Sequence, residues 1–154
     1  MKYQIIELEE FTVIGSRYEL SKSLSNNIKL AHNHWKNFNM KLKNNKLYLG
    51  DNWCKYAFIE KIENKIFYYI SIPKKGYIPD KFIEKKILRG KYLKVEHIGN
   101  MSKLKDTINY VYNEIMPRNN ILQESKQFIY FEKYDHKFHW NREDSVIEIY
   151  IPIK

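Results

Sequence analysis

The chain has 154 residues, 44% hydrophobic and 16% aromatic, with 27 Lys and Arg against 18 Asp and Glu for a formal net charge of +9. That length suits one domain with a packed interior, and with apolar runs as short as Ile66 to Ile72 and an N-terminus without a basic-then-apolar layout, neither a membrane span nor a signal peptide is expected. The positive charge is not expected to form a nucleic-acid surface, because the lysines are scattered singly, only Arg17, Arg89, Arg118 and Arg142 are arginines, and no reader helix, zinc finger or RNP-type motif accompanies them.

In chain order, Tyr3 to Leu8 and Phe11 to Tyr18 read as strands. A helix over Ser23 to Leu42 follows, because Leu24, Ile28, Ala31, Trp35, Phe38 and Leu42 fall on one face. Beyond it stands Cys54, the only cysteine; it excludes an internal disulfide and a CxxC pair and reads as a half-buried hydrophobe in a reducing, cytoplasmic setting. Ala57 to Ile62 and Ile66 to Ile72 are strands, and Pro73 to Phe82, with its Gly and Pro residues, is a linker. The lysine-rich stretch from Lys74 to Lys94 reads as solvated linker and strand edge. Tyr92 to Ile98 is a strand, and Leu104, Ile108, Val111 and Ile115 mark a second helix over Ser102 to Met116, ended by Pro117. Ser23 and Ser102 are the expected N-caps. Phe128 to Tyr134 and Val146 to Ile153 complete the strands.

A shift of 79 or 80 residues lays the first helix on the second, Val13–Tyr18 on Tyr92–His97, and Ile70-Ser71-Ile72-Pro73 on Ile149-Tyr150-Ile151-Pro152. The expected fold is therefore a single α+β domain of two pseudo-twofold-related βαββ units, approximately residues 1–75 and 82–154, with a mostly antiparallel sheet, helices on one side and a cleft between the halves. Clefts of that kind commonly hold ligands.

The last strand contains an anomaly. In SVIEIYIPIK, Ile147, Ile149, Ile151 and Ile153 share one face and belong under the helices, whereas Val146, Glu148, Tyr150 and Pro152 share the other. The repeat places Tyr69 where Glu148 stands, so Glu148 is expected to meet an aromatic surface. A carboxylate among ring faces is a receptor for an aromatic cation; an exposed Glu on an open sheet face is the plain alternative. The candidate ligand-binding residues are Glu148, Tyr69, Tyr150, Trp140 and Phe138 before the last strand, and Trp53 and Tyr56 after the first helix. Trp35, on the helix stripe, is read as core. Glu132, Glu60 and Glu96 are candidate second acids, and alternation puts Phe131 and Glu132 on opposite faces.

The histidines do not make a metal site: His32 and His34 diverge on a helix, and His136 and His139 lack a third ligand at suitable spacing. No nucleophile elbow, phosphate-cradling glycine loop or Ser/His/Asp arrangement is present, so no cofactor is expected.

The duplicated pattern, YLKVEHIGNMSKL (Tyr92 to Leu104), FEKY (Phe131 to Tyr134) and IEIYIPI (Ile147 to Ile153) together resemble the GyrI-like small-molecule-binding family. That family includes effector-binding domains of AraC- and MerR-type multidrug-responsive regulators. The resemblance implies two βαββ units around a ligand pocket, with the terminal-strand glutamate, by motif position Glu148, near bound aromatic cations. His97, in the helix-entry motif, then shapes the turn. With Tyr3 already in the first strand, the chain resembles a stand-alone member. Three functions are implied: a sensor or sequestering protein for aromatic or cationic amphipathic xenobiotics, a cofactor-independent hydrolase of cyclopropane-bearing DNA-alkylating compounds with Glu148 as general base, or an inhibitor of a DNA enzyme. The expected partner is a small molecule, with no membrane and no direct nucleic-acid contact.

Overall fold

The computed structural model describes residues 2–20 and 24–154, apart from the side chains of residues 24–28. Eight strands, β1 (Tyr3–Leu8), β2 (Phe11–Glu19), β3 (Lys55–Ile62), β4 (Lys65–Pro73), β5 (Ile83–Ile87), β6 (Gly90–Ile98), β7 (Tyr130–Tyr134) and β8 (Val146–Pro152), form one sheet in the order β1-β6-β8-β7-β3-β4-β2-β5. Each pairing is antiparallel. The β2–β4 and β6–β8 ladders share one register, Val13 opposite Pro73 and Tyr92 opposite Pro152, and the sheet is joined at its middle by β3 and β7. Glu63 and Asn64, with φ of 50° and 67°, supply the left-handed turn that matches the twist of the β3–β4 hairpin. Gly15 is required by close approach, since a β-carbon there would overlap the backbone carbonyl of Ile70.

Two helices lie on one face. The first, α1, spans Leu24–Asn44 and ends where Lys46 adopts a φ of 56° and the Leu47 amide bonds back to the Leu42 carbonyl. The second, α2 (Leu104–Tyr110), is preceded by a 3-10 turn from Met101 to Lys103 and continues as a π turn, Val111–Ile115, and a last α turn, Met116–Arg118. Phe38 and Leu42 of α1 join Leu104, Val111, Ile115 and Met116 in a core with Ile14, Ile70, Ile72, Ile147, Ile149, Ile151 and Ile153. The isoleucines of β8 therefore face the helices, as their alternation requires. The opposite face is an aromatic layer of Phe58, Tyr69, Tyr92, Phe128, Phe131 and Tyr150, packed with Ile6, Leu8 and Phe11.

Several local expectations change. The lysine-rich stretch read as solvated linker and strand edge holds a defined strand, β5, at the sheet edge, in which only Ile87 is fully buried, so it shows little apolar alternation. The cap of the second helical segment is Asn100, whose side chain accepts from the Ser102 amide at 3.1 Å; Ser102 is already inside the turn. Pro117 does not stop the helix but sits in its last turn, and the π turn lies just before it, where the proline ring and missing N–H disfavour an α-helical bond. The cap expected at Ser23, and the side chains of Leu24 and Ile28, lie outside the described residues.

Candidate functional site

Three glutamates are buried among the described residues: Glu60 at 2% exposure, Glu132 at 4% and Glu148 at 6%. Burial disfavours a carboxylate unless cations or hydrogen-bond donors compensate it. On the aromatic face both acids have cations. Arg17 donates to Glu60 through Nε to Oε1 at 2.7 Å and through a terminal nitrogen to Oε2 at 3.2 Å, and Lys85 shares Oε2. Lys137 donates to Glu148 at 2.8 Å, Lys94 lies 3.8 Å away, and the Tyr150 hydroxyl donates at 2.6 Å. Burial pushes the Glu148 carboxyl up, but the bonds from Lys137 and Tyr150 and the charges of Lys94 and Lys133 outweigh it and hold the group below the ordinary range.

Glu132 lies on the helix face. It sits at the centre of the seam, opposite Ala57 on one side and Ile149 on the other. The hydroxyls of Tyr134 and Tyr68 donate to its Oε1 at 2.7 and 3.1 Å, and the Trp35 indole donates to the Tyr68 hydroxyl at 2.9 Å. Among the described residues no lysine, arginine or histidine forms an ion pair with it. Burial pushes its carboxyl up to about 7, against the lowering pull of the two tyrosine bonds.

Above this chain of bonds is a cavity of about 430 Å³. Helix α1 contributes His32, Trp35, Lys36 and Asn39 to its wall; Trp53 and Lys55 come from the approach to β3, Met101 from the entry to α2, Tyr134 from β7, and Phe138 and Trp140 from the loop before β8. The rings meet edge to face, Trp35 with Tyr134 and Tyr134 with Phe138, each pair at 5.0 Å. Lys55 reaches Asn39 at 2.8 Å and lies over the Trp53 ring, and burial lowers its pKa. Trp35 and Tyr134 thus belong to the wall and also to the hydrogen-bonded chain that ends on Glu132. A larger cavity, about 650 Å³, opens at the β1 edge beside Lys2, Tyr3, Lys94, Glu96 and Ile98, but its wall holds neither a ring cluster nor a buried acid.

Of the residues expected at a ligand site, Trp53, Phe138 and Trp140 line the aromatic cavity. Glu148, Tyr150, Tyr69 and Tyr56 are on the other side of the sheet, where Tyr150 stacks on Phe131 at 4.7 Å, Tyr56 packs on Phe131 and Phe58, and the Tyr69 hydroxyl bonds the Ile83 carbonyl. The face of Glu148 is the one alternation gave it, but its rings fill one another. Trp35 is both core and cavity wall. Of the candidate second acids, Glu132 is seated by register beside Ile149, on the helix face, Glu60 lies on the aromatic face, and Glu96 is exposed. His97 bonds Thr107 at 2.7 Å and the Asn100 carbonyl at 2.9 Å; since a carbonyl only accepts, Nε2 carries the proton and Nδ1 accepts from Thr107. It ties β6 to the entry of α2.

An antiparallel sheet capped on one face by two helices, with a cavity over its central seam, defines the class: a GyrI-like, small-molecule effector-binding domain. The chain belongs to the Cass2 family of integron-associated effector binding proteins, whose model matches residues 4–153. Its fold is similar to that of SAV2435 bound to tetraphenylphosphonium, with a TM-score of 0.76 and 19% identity over 100% of this chain and 94% of that one. The C-terminal domain of EcmrR matches with a TM-score of 0.66 and 19% identity over 99% and 97%. An integron cassette protein from the mobile metagenome of Vibrio cholerae matches with a TM-score of 0.58 and 16% identity over 99% and 95%. No curated protein matches the chain in sequence. No helix among the described residues is long and apolar enough to cross a membrane.

Proposed function

We propose that this protein binds aromatic organic cations in the cavity over the β3–β7 seam, sensing or sequestering them. The observation that carries the reading is the uncompensated acid: Glu132 is buried as deeply as Glu60 and Glu148, yet among the described residues it has no cation. An aromatic cation would set its rings against Trp35, Tyr134, Trp53 and Trp140 and place its charge above the Tyr68–Glu132–Tyr134 cluster, gaining cation–π and Coulombic contacts together. The tetraphenylphosphonium bound by SAV2435 is of that chemical class.

All three tryptophans line the cavity. Titration with tetraphenylphosphonium is therefore expected to quench most of the tryptophan emission saturably, and Glu132→Gln to weaken binding about tenfold or more, the scale of one lost charge contact. No saturable quenching, or an unchanged affinity in the variant, would sink the reading.

A second reading, hydrolysis of reactive cyclopropane-bearing aromatic compounds, is favoured by the placing of a buried carboxyl, Glu132, on the hydroxyl of the cavity-wall residue Tyr134, where burial pushes it up into the range suited to general-base work at neutral pH. Mass spectrometry of such a compound incubated with the protein is expected to show a water adduct; recovery of intact compound alone would remove this reading.

A further inference from the structure

The absence of a cation beside Glu132 raises the question of what balances its charge when the cavity is empty. Among the described residues its surroundings supply no cationic partner. Tyr68 comes from β4, Tyr130 and Tyr134 from β7 itself, Ala57 from β3 and Ile149 from β8; Tyr112 of the π turn lies against Tyr130, and Trp35 of α1 lies behind Tyr68. The nearby tyrosines are held well above their ordinary range, first by burial and then by the acid itself, so they remain neutral donors. The charged and titratable groups His32, Lys36 and Lys55 belong to the cavity wall and form no ion pair with the acid. Both tyrosine hydroxyls converge on Oε1, and among the described residues Oε2 has no hydrogen-bond partner.

We propose that a cation entering this cavity displaces one proton from Oε2 of Glu132 to solvent, so that ligand charge replaces a proton and binding strengthens as pH rises. The inference rests on the reading that aromatic cations bind here. The balance is closed: the neutral carboxylic acid plus the cation give carboxylate, bound cation and one proton released to buffer. A carboxyl lifted to about 7 by burial makes the exchange fall in the neutral range. The acids of the other face cannot exchange in this way, because Lys137 and Lys94, or Arg17 and Lys85, already occupy the position of the incoming charge. The site would in this way favour a permanent cation over a neutral compound of equal shape more strongly at pH 8 than at pH 6.

Isothermal titration of the full chain with tetraphenylphosphonium, in buffers of differing ionisation enthalpy, counts the protons directly. The expected count is about 0.75 at pH 6.5 and about 0.1 at pH 8, with the dissociation constant falling about tenfold between pH 6 and pH 8. Neutral triphenylphosphine oxide is expected to release none, and Glu132→Gln to release none per cation bound. Binding of tetraphenylphosphonium with no proton release and a flat affinity would overturn the proposal while leaving the cation site standing. Equal release with the neutral probe, or release retained in Glu132→Gln, would also overturn it by moving the proton elsewhere. No binding at any pH would remove the cation site itself, and the proposal with it.

Discussion

The two faces of the sheet treat the same side chain in opposite ways. Glu60 and Glu148 on the aromatic face each have two cationic neighbours, whereas Glu132 on the helix face is, among the described residues, held by tyrosines. Depth does not separate them, since all are at most 6% exposed. Compensation does: a carboxylate with its cations in place is part of the scaffold, and one without them is a vacancy for a charge. The aromatic face also shows that many rings do not make a receptor, because Phe58, Phe131, Tyr92 and Tyr150 satisfy one another's surfaces.

Substitutions can break that contrast. The largest effect is expected for Glu60→Gln, which leaves Arg17 and Lys85 facing each other without their acid; loss of about 3 kcal/mol by chemical denaturation is predicted, with cation affinity unchanged. Glu132→Gln should act in the other direction. Between pH 4.5 and about 7 the folded protein holds a proton on Glu132 that the unfolded chain has released, so stability falls as pH rises through that window. The variant should lack this slope and exceed the parent by about 2–3 kcal/mol at pH 8, which thermal denaturation against pH will show. Glu148→Gln should cost about 1 kcal/mol, because Lys137 and Lys94 keep access to water. Its contribution has the opposite sign with pH: a carboxyl held low stabilises above the unfolded value and loses that contribution as pH falls through the folded one. The smallest effect is expected for Tyr134→Phe, which removes one donor to Oε1: about 0.5–1 kcal/mol in stability, with the midpoint of the Glu132 titration moving upward.

Much of this was legible in the residues. Spacing in Ala31, Trp35, Phe38 and Leu42 and in Leu104, Ile108, Val111 and Ile115 marks both helices, and alternation in β8 assigns the isoleucine and glutamate faces correctly. The aromatic loops around Trp53, Phe138 and Trp140 also point to the cavity they line. What alternation cannot supply is register between strands, and register is what seats Glu132 between Ala57 and Ile149, on the isoleucine side. The FEKY motif carried half the signal, since Tyr130, Glu132 and Tyr134 share a face opposite Phe131. Glu148 drew attention because it interrupts isoleucines, but an anomaly within a strand says nothing about whether lysines from β6 and the preceding loop will reach it. β5 escaped for a related reason: an edge strand with one fully buried residue looks like solvated chain until its partner β2 is known.

The measurement that separates the two faces most directly is the affinity of tetraphenylphosphonium for Glu132→Gln and Glu148→Gln, taken side by side at pH 8 with both variants shown to be folded. The expected result is a loss of about tenfold or more in Glu132→Gln and a change within about twofold in Glu148→Gln. An unchanged Glu132→Gln beside a weakened Glu148→Gln would contradict it and return the ligand to the aromatic face.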